Sequence, residues 1–330
     1  MTFSFKSNAL ALMLSTALAL PAMAENLTIR MSTPASDTDQ RTIALAEVFA
    51  PAVADFATYQ PHYNSSLIAQ GSELEAIASG DIEMSIASAQ ELAQYFPQFS
   101  IFTAGYVHQN ADHQLAVFND PLMDAFKETV ETELSVKLLS VMYLGRRQLN
   151  LRQCPDELKV STPADLDGVN LRMPGSDSWQ FLGRALGANP TPMAFTEVYT
   201  ALQTGSVDGQ DNPLPTVVDA KFYEVTCQIA LTSHLVDLNY IAFSKEAWDK
   251  LSTDQQAQLQ KAADDAATSA RNAQLKKEEE LVSFLREKGL EIYEPDVAAF
   301  RKAVQSAYLD SDFTKSWPEG VLEKINALGE

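Results

Sequence analysis

The chain has 330 residues, of which 46% are hydrophobic and 21% are charged. This length suggests about two domains, and the composition is that of a globular protein, which excludes collagen-like, coiled-coil and disordered chains. Lysine and arginine number 24 against 44 aspartate and glutamate residues, which gives a formal net charge of −20. Because a field of that sign repels a phosphate backbone, we expect no nucleic-acid partner.

The first 24 residues have the pattern of a cleaved export signal. Lys6 forms a short basic start, residues 9–20 are apolar, and residues 21–24 end in the small side chains that a signal peptidase accepts. An uncleaved membrane anchor is the alternative, but it needs roughly 20 apolar residues to cross the bilayer. We therefore predict a signal peptide at residues 1–24 and an exported mature chain.

Cys154 and Cys227 are the two cysteines of the sequence. An even number of thiols in an exported chain favours one disulfide, with two unpaired thiols as the alternative. Their number and spacing exclude a CxxC redox motif and a cysteine-rich zinc site. We predict a bridge between them.

Strand and helix patterns alternate twice along the chain. The first series has strands at 27–31 and 82–87 and helices at 39–54 and 73–79. The second has strands at 138–144, which Gly145 ends, and 169–173, followed by a helix at 176–186 capped by Ser176. Such alternation predicts two α/β lobes, each built on a parallel sheet.

The stretch from Thr253 to Gly289 predicts one long helix. It opens with a capping box of Thr253 and Gln256 and contains no glycine or proline for about 35 residues. This length exceeds that of an average globular helix, and no sustained heptad is present. We therefore expect the helix to run along both lobes rather than to form a coiled coil.

The sequence lacks the common enzyme signatures. It contains no GxSxG, HExxH, GxxxxGKS/T or GxGxxG motif. His108 and His113 fit no standard metal spacing, and we expect them to be surface or structural residues. No pair of carboxylates stands out as an acid and base. We predict no catalytic residue, no metal and no cofactor.

Positive charge is concentrated in one region of the sequence. Five of the ten arginines lie between Arg146 and Arg184, whereas residues 42–145 contain only two lysines. Arg172 lies near the carboxyl end of the predicted strand 169–173, and Arg147 follows the predicted strand 138–144. Ligands of open α/β sheets bind beyond the carboxyl ends of the strands, and a guanidinium holds a carboxylate by two hydrogen bonds. We predict an organic-anion site there, with surface arginines as the alternative, which is the better interpretation for Arg152 and Arg184.

Residues 190–215 have the pattern of a pocket wall. Phe195 precedes a short helix predicted at 197–204, and residues 207–213 predict a turn that carries side-chain amides. We expect Phe195 and Asn212 to face one ligand. Core packing and turn capping are the alternatives.

Three segments resemble a known family: GRRQLN at 145–150, DLDGVNLRMP at 165–174 and PTPMAFTEVYTALQTGSVDGQDNPL at 190–214. They are similar to the extracytoplasmic solute-binding proteins of TRAP transporters, the DctP family. The resemblance implies a two-lobed α/β fold of the Venus-flytrap kind in the periplasm, with a long C-terminal helix spanning both lobes. Lobe I is expected at 25–144 and 238–278, and lobe II at 145–237 and 279–330.

The resemblance also implies a function and its residues. An organic acid is expected to bind in the cleft between the lobes and to pass to the TRAP membrane permease. Arg172 matches the family's central arginine, which would form the main salt bridge. Ligand contacts are expected from Arg172, Arg147, Asn212, Phe195 and Ser88. A supporting layer is expected from Glu197, Asp211 and Gln210.

Several alternatives stay open at this point. Residues 88–91 lack the charged pair associated with sialic-acid members, which leaves a smaller dicarboxylate, a keto acid or a uronic acid as the solute. A binding protein of an ATP-driven importer, or a sensor, would share the cleft and differ in partner. An exported enzyme acting on an organic anion is the alternative from another class.

Overall fold

The computed structural model describes residues 1–2 and 26–329. The predicted signal peptide therefore lies outside the described residues, apart from Met1 and Thr2. The strands of the described part are β1 (Leu27–Ser32), β2 (Ala57–His62), β3 (Met84–Ser88), β4 (Val136–Leu151), β5 (Asn170–Met173), β6 (Asn189–Pro192), β7 (Gly209–Asn212), β8 (Gln228–Ser244) and β9 (Glu291–Tyr293).

Helices cover most of the remaining chain. They are α1 (Gln40–Ala44), α2 (Ala50–Ala52), α3 (Glu73–Ser79), α4 (Ala89–Tyr95), α5 (Ala111–Asn119), α6 (Asp124–Leu134), α7 (Asp177–Ala185), α8 (Val198–Thr204), α9 (Leu214–Asp219), α10 (Lys245–Asp249), α11 (Thr253–Glu287), α12 (Val297–Leu309) and α13 (Val321–Leu328). A π-helical turn, Leu45–Phe49, joins α1 to α2, so the helix predicted at 39–54 is one continuous helical segment. None of the helices between residues 26 and 329 is long and apolar enough to cross a bilayer.

One mixed sheet connects the two lobes. Its order is β2-β1-β3-β8-β4-β7-β5-β6, and β9 pairs with β8. Strands β1–β3 are parallel to one another in lobe I, and β5–β7 are likewise parallel in lobe II, as predicted. The two central strands differ from the predicted parallel arrangement: β4 pairs antiparallel with β7 and β8, and β8 pairs antiparallel with β3 and β4 and parallel with β9. These two long strands pass from one lobe to the other.

The prediction that Gly145 ends a strand was wrong. Strand β4 continues to Leu151, and its register against β8 shifts between Tyr143 and Gly145. Gly145 has a φ of 129°, and a Cβ there would lie 2.6 Å from the Cβ of Pro213. Glycine therefore serves as a bulge within β4, and Arg147 lies within a strand rather than beyond its end.

Residues 207–213 were predicted as a turn but include strand β7. Asn212 pairs with Gln148 of β4, and Gly209 pairs with Leu171 of β5. The polar side chains of this segment are typical of a turn, but the segment is a buried strand between β4 and β5. The consequence is that Asn212 is held by the sheet.

Helix α11 confirms the prediction of one long helix. Its cap is one residue earlier than predicted, because Ser252 has extended backbone and its Oγ accepts from the N–H of Gln255, whose side chain bonds back. The first half packs alanines against β1, β3 and α1, and the last turns pack with α8, α9 and β9. The helix therefore runs along both lobes.

A disulfide joins Cys154 to Cys227, as predicted, with their Cα atoms 5.0 Å apart. It links the loop after β4 to the segment before β8, where the N–H of Cys227 donates to the carbonyl of Leu151. The bridge closes a sequence separation of 73 residues. A loop of that size restricts the unfolded chain.

We expect the double variant Cys154→Ser, Cys227→Ser to lose about 4 kcal/mol of unfolding free energy, from the entropy of loop closure. Urea unfolding followed by circular dichroism measures this loss. An unchanged midpoint, or thiols of the unreduced wild type that react with maleimide, would contradict the bridge.

Candidate functional site

A cavity of about 420 Å³ lies between the lobes. It is found just beyond the carboxyl ends of β1, β3 and β5, where Thr33, Ser88 and Pro174 form part of its wall. Ligands of open α/β sheets typically bind at this position. Of the predicted ligand contacts, the cavity is lined by Arg172, Arg147, Asn212, Phe195 and Ser88. The structure thus brings together residues from β3, β4, β5, β7 and the turn before α8.

Arg172 lies at the end of β5 with 1% of its surface exposed. Its Nε and Nη2 both donate to the carbonyl of Met193, at 3.0 and 2.7 Å. Among the described residues no carboxylate oxygen lies within 4.0 Å of its guanidinium nitrogens. Burial lowers the pKa of Arg172, since the charged form is desolvated. The cavity therefore contains a buried cation without an ion-pair partner.

Arg147 lies in the same cavity but is already compensated. Its Nε donates to Asp237 at 2.7 Å, and its Nη1 donates to the carbonyl of Asp211 at 2.6 Å. The guanidinium also stacks on the ring of Trp179, 4.2 Å from the centroid. Arg147 is thus fixed in position with its charge balanced by Asp237.

Asn212 is positioned by a chain of buried amides. Its Nδ2 donates to Gln210 Oε1 at 2.5 Å, and Gln210 Nε2 donates to Asn150 Oδ1 at 3.0 Å. The predicted supporting residue Gln210 is fully buried between them. This arrangement leaves Asn212 Oδ1 near Arg147 Nη1, at 3.3 Å.

The two acids predicted to orient arginines differ in their surroundings. Asp211 is fully buried, and its carboxylate lies 3.4 Å from Arg147 Nη1 and 3.0 Å from His234 Nε2. Glu197 is exposed, and within the described part of the chain its carboxylate forms no hydrogen bond. The geometry therefore suits an orienting contact for Asp211 and offers none for Glu197.

Ser88 contributes to the cavity wall through the cap of α4. Its Oγ accepts from the N–H of Glu91 at 3.1 Å, and Glu91 Oε2 accepts from the N–H of Ser88 at 2.7 Å. This reciprocal capping box places the Glu91 carboxyl at the cavity.

Sequence reasoning missed one polar cluster of the cavity, formed by Asp39, Arg41, Asp219 and Asn239. Arg41 bonds both oxygens of Asp39, at 2.9 and 2.7 Å, and donates to Asn239 Oδ1 at 2.5 Å. Arg41 lies far in sequence from the arginines between 146 and 184, so their clustering could not identify it. The usable signal was Asp39, a helix cap two residues before an arginine.

The lobes also touch across the cavity. The backbone N–H of Phe195 in lobe II donates to Gln70 Oε1 in lobe I at 2.7 Å. The ring of Phe195 lies 5.9 Å from the guanidinium carbon of Arg172. Phe195 thus contributes both a wall beside the cation and a contact to the opposite lobe.

His108 and His113 are buried side chains outside the cavity. Their ring centroids are 5.4 Å apart, and His113 Nε2 lies 2.7 Å from the carbonyl of Ile325 in α13. Burial, with His113 nearby, lowers the pKa of His108 to about 3. Both residues are therefore part of the core rather than the surface.

Glu73 is a buried carboxyl close to Glu91, which is half-buried and lines the cavity. Glu73 is 3% exposed, and its Oε2 accepts from the N–H of Gly71 at 2.6 Å. Its Oε1 has no hydrogen-bond partner among the residues described. Burial and the charge of Glu91 raise the pKa of Glu73 to about 8, and burial also raises the pKa of Glu91.

Comparison with known proteins decides the family. The model of bacterial extracellular solute-binding protein family 7, DctP, matches residues 44–314. The chain belongs to this family. The prediction from the three sequence segments is thereby confirmed, and the chain is a TRAP solute-binding protein.

Individual relatives agree with this assignment. The sialic acid-binding periplasmic protein of Vibrio cholerae is 30% identical over 255 residues, which cover 77% of each chain. The solved structure of a TRAP periplasmic solute-binding protein from Roseobacter denitrificans, with bound 3-deoxy-D-manno-oct-2-ulosonic acid (KDO), is 77% identical. It has a TM-score of 0.92 and covers 92% of this chain and 100% of its own.

A second solved TRAP solute-binding protein from Roseobacter denitrificans, with bound L-galactonate, is 26% identical. Its TM-score is 0.82, with 93% of this chain and 99% of the other covered. The two-lobed fold is therefore common to this chain and to both solved relatives.

The Glu73 carboxyl makes stability depend on pH. Its raised pKa means that between about pH 4.5 and 8 the folded state binds more protons than the unfolded state, so stability falls as pH rises through that range. We expect the wild type to lose roughly 2–4 kcal/mol from this group between those limits. In Glu73→Gln this part of the loss should disappear.

Urea unfolding at pH 5, 6.5 and 8 measures the effect. Glu75→Gln removes an exposed carboxyl from the same helix and should leave the pH profile unchanged. Profiles of wild type and Glu73→Gln that run parallel would show that Glu73 is ionised throughout.

Proposed function

We propose that this TRAP solute-binding protein is a periplasmic receptor that captures an organic acid between its lobes and delivers it to the membrane permease of a TRAP transporter. One observation carries the proposal: the buried guanidinium of Arg172 lines the cavity and has no carboxylate partner among the described residues. Its relatives are periplasmic binding proteins, one of them of a TRAP transporter, which supports the location and the class of partner.

The energetics of Arg172 favour an anionic ligand. A cation removed from water loses several kcal/mol of hydration unless a partner offsets the loss, roughly as for other buried ions. A carboxylate entering the cavity would supply that partner through charge-assisted hydrogen bonds to a guanidinium fixed by the Met193 carbonyl. The Met193 carbonyl accepts one hydrogen bond from Nε and one from Nη2 of Arg172. The other N–H groups of the guanidinium are therefore available to the solute.

The solute we propose is a sugar acid, with KDO as the first candidate. The relative with bound KDO is 77% identical, and the cavity volume of about 420 Å³ falls in the range of small-molecule sites. The carboxylate would bind Arg172, with Arg147, Asn212 and Ser88 on the surrounding wall. Phe195 would pack against the carbon skeleton.

The lining of the cavity supports a receptor over the alternative of an enzyme. No histidine or cysteine is among the described residues that line it, so the hydroxyls of Ser36 and Ser88 have no imidazole base beside them. Charge neutralisation by a guanidinium gives affinity without a route to bond breaking. We therefore propose that the solute leaves the cleft unchanged.

The lobe boundaries at 144/145, 237/238 and 278/279 are part of the proposal. Gly145 of β4 pairs with Asp237 of β8, so two of the boundaries lie opposite each other. At the third, Glu278 of α11 accepts from the N–H of Arg146 at 2.6 Å and from the hydroxyl of Tyr143 at 2.6 Å. All three crossings thus meet at one level, which suits a hinge.

Arg172→Ala tests the clamp. Removing the cation leaves a solute carboxylate desolvated and unpaired, so the Kd for KDO should rise by a factor on the order of 10² to 10³. Isothermal titration calorimetry with KDO and with L-galactonate measures the change.

Arg184→Ala is the matched control, because Arg184 is exposed on α7 and does not line the cavity. It should change the Kd by less than about threefold. Equal losses in both variants would show that general positive charge, rather than Arg172, binds the acid. If the KDO recovered after incubation with the protein had an altered mass, the receptor proposal would be contradicted and the protein would be an enzyme.

A further inference from the structure

Two separate charged regions line the cavity. Arg172 lies on β5, and its guanidinium donates to the carbonyl of Met193. A second cluster is formed by Asp39, Arg41, Asp219 and Asn239. No hydrogen bond or ion pair among the described residues joins Arg172 to this second cluster.

The arginine of this second cluster is fully engaged. Both carboxylate oxygens of Asp39 accept from Arg41, through Nε at 2.9 Å and Nη2 at 2.7 Å, in the two-pronged geometry that compensates a guanidinium best. Nη1 donates to Asn239 Oδ1. Arg41 therefore presents a neutralised ion pair to the cavity.

Asp219 adds a carboxyl to the same cluster. It is the last residue of α9 and lines the cavity, and its Oδ1 accepts a hydrogen bond at 3.4 Å from Lys277, which lies outside the lining. Burial, with Asp39 nearby, raises the pKa of Asp219 to about 6. The group is therefore mainly ionised at neutral pH, and its carboxylate oxygens accept hydrogen bonds from hydroxyls.

The lining as a whole contains four carboxyl and three guanidinium groups in the described residues. Two of the guanidinium groups are paired within the protein, Arg147 with Asp237 and Arg41 with Asp39. One cation, Arg172, is left for the solute. A second carboxylate on the solute would find no unpaired guanidinium at the second cluster and would face the Asp219 carboxyl.

We propose that this receptor selects acids with one carboxylate and a hydroxylated tail, and that Asp219, beside the Asp39–Arg41 pair, excludes a second carboxylate while accepting hydrogen bonds from hydroxyl groups. The inference rests on the proposed function, because it assumes that Arg172 takes the first carboxylate. It assigns Asp219 as a specificity residue by repulsion of the wrong ligand. Dicarboxylates, one of the solute classes that the sequence left open, are thereby excluded.

Competition against KDO tests the proposal. D-galactonate and D-galactarate have the same four hydroxylated carbons and differ in whether the far end is an alcohol or a carboxylate. In the wild type, the Kd for galactarate should exceed that for galactonate by at least tenfold, which corresponds to about 1.4 kcal/mol of binding free energy. Comparable affinities would overturn the proposal.

Asp219→Asn provides the second measurement, since asparagine keeps an acceptor oxygen and removes the charge. The ratio of the galactarate Kd to the galactonate Kd should fall by at least fivefold in this variant. Glu280→Gln removes an exposed carboxyl from α11 outside the cavity lining and should leave the ratio unchanged. An unchanged ratio in Asp219→Asn, or the same fall in Glu280→Gln, would refute a local role for Asp219.

The outcomes separate the two proposals. Wild type that binds none of KDO, galactonate and galactarate contradicts the proposed function itself. Wild type that binds KDO and takes galactarate as tightly as galactonate contradicts only the selection against a second carboxylate.

Discussion

Arg172 keeps a positive charge inside the protein with a backbone carbonyl, and no described carboxylate, in contact with it. Such a charge is destabilising in the absence of an anion, because desolvation opposes the ionised form. The neighbouring strands and the Met193 carbonyl nevertheless keep the Arg172 side chain in this position. Strand β5 fixes its backbone between β6 and β7, and Met193 orients the guanidinium toward the cavity. An unfavourable group held in a fixed geometry is what gives a binding site affinity for its missing partner.

Of the three arginines among the described residues that line the cavity, Arg172 is the one without a carboxylate partner. Asp237 compensates Arg147, and Asp39 compensates Arg41. One of these acids, Asp237, pairs with Gly145 where β8 lies beside β4. The proposed hinge and the binding site therefore share Asp237. This sharing gives a physical route by which a bound solute favours one arrangement of the lobes, since binding energy gained from both lobes exists only when they are closed.

The sequence predicted the local elements well where one signal dominated. Ser176 marked the start of α7 as its cap, and the absence of glycine and proline marked α11. It failed where tertiary pairing overrode the local signal. Gly145 is a strand breaker by propensity, yet β8 supplies the pairing that carries β4 through it. Gln210 and Asn212 have turn propensity, yet β4 and β5 enclose them as a strand. Arg172 was found because it ends a short strand, whereas the Asp39–Arg41–Asp219 cluster joins residues 180 positions apart and has no local signature.

A crystal structure of the protein with bound KDO tests the central claim most directly. The account predicts that the carboxylate oxygens lie about 3 Å from the guanidinium nitrogens of Arg172 that Met193 leaves free. A carboxylate bound at the Asp39–Arg41 end, with Arg172 still in contact only with the Met193 carbonyl, would contradict it.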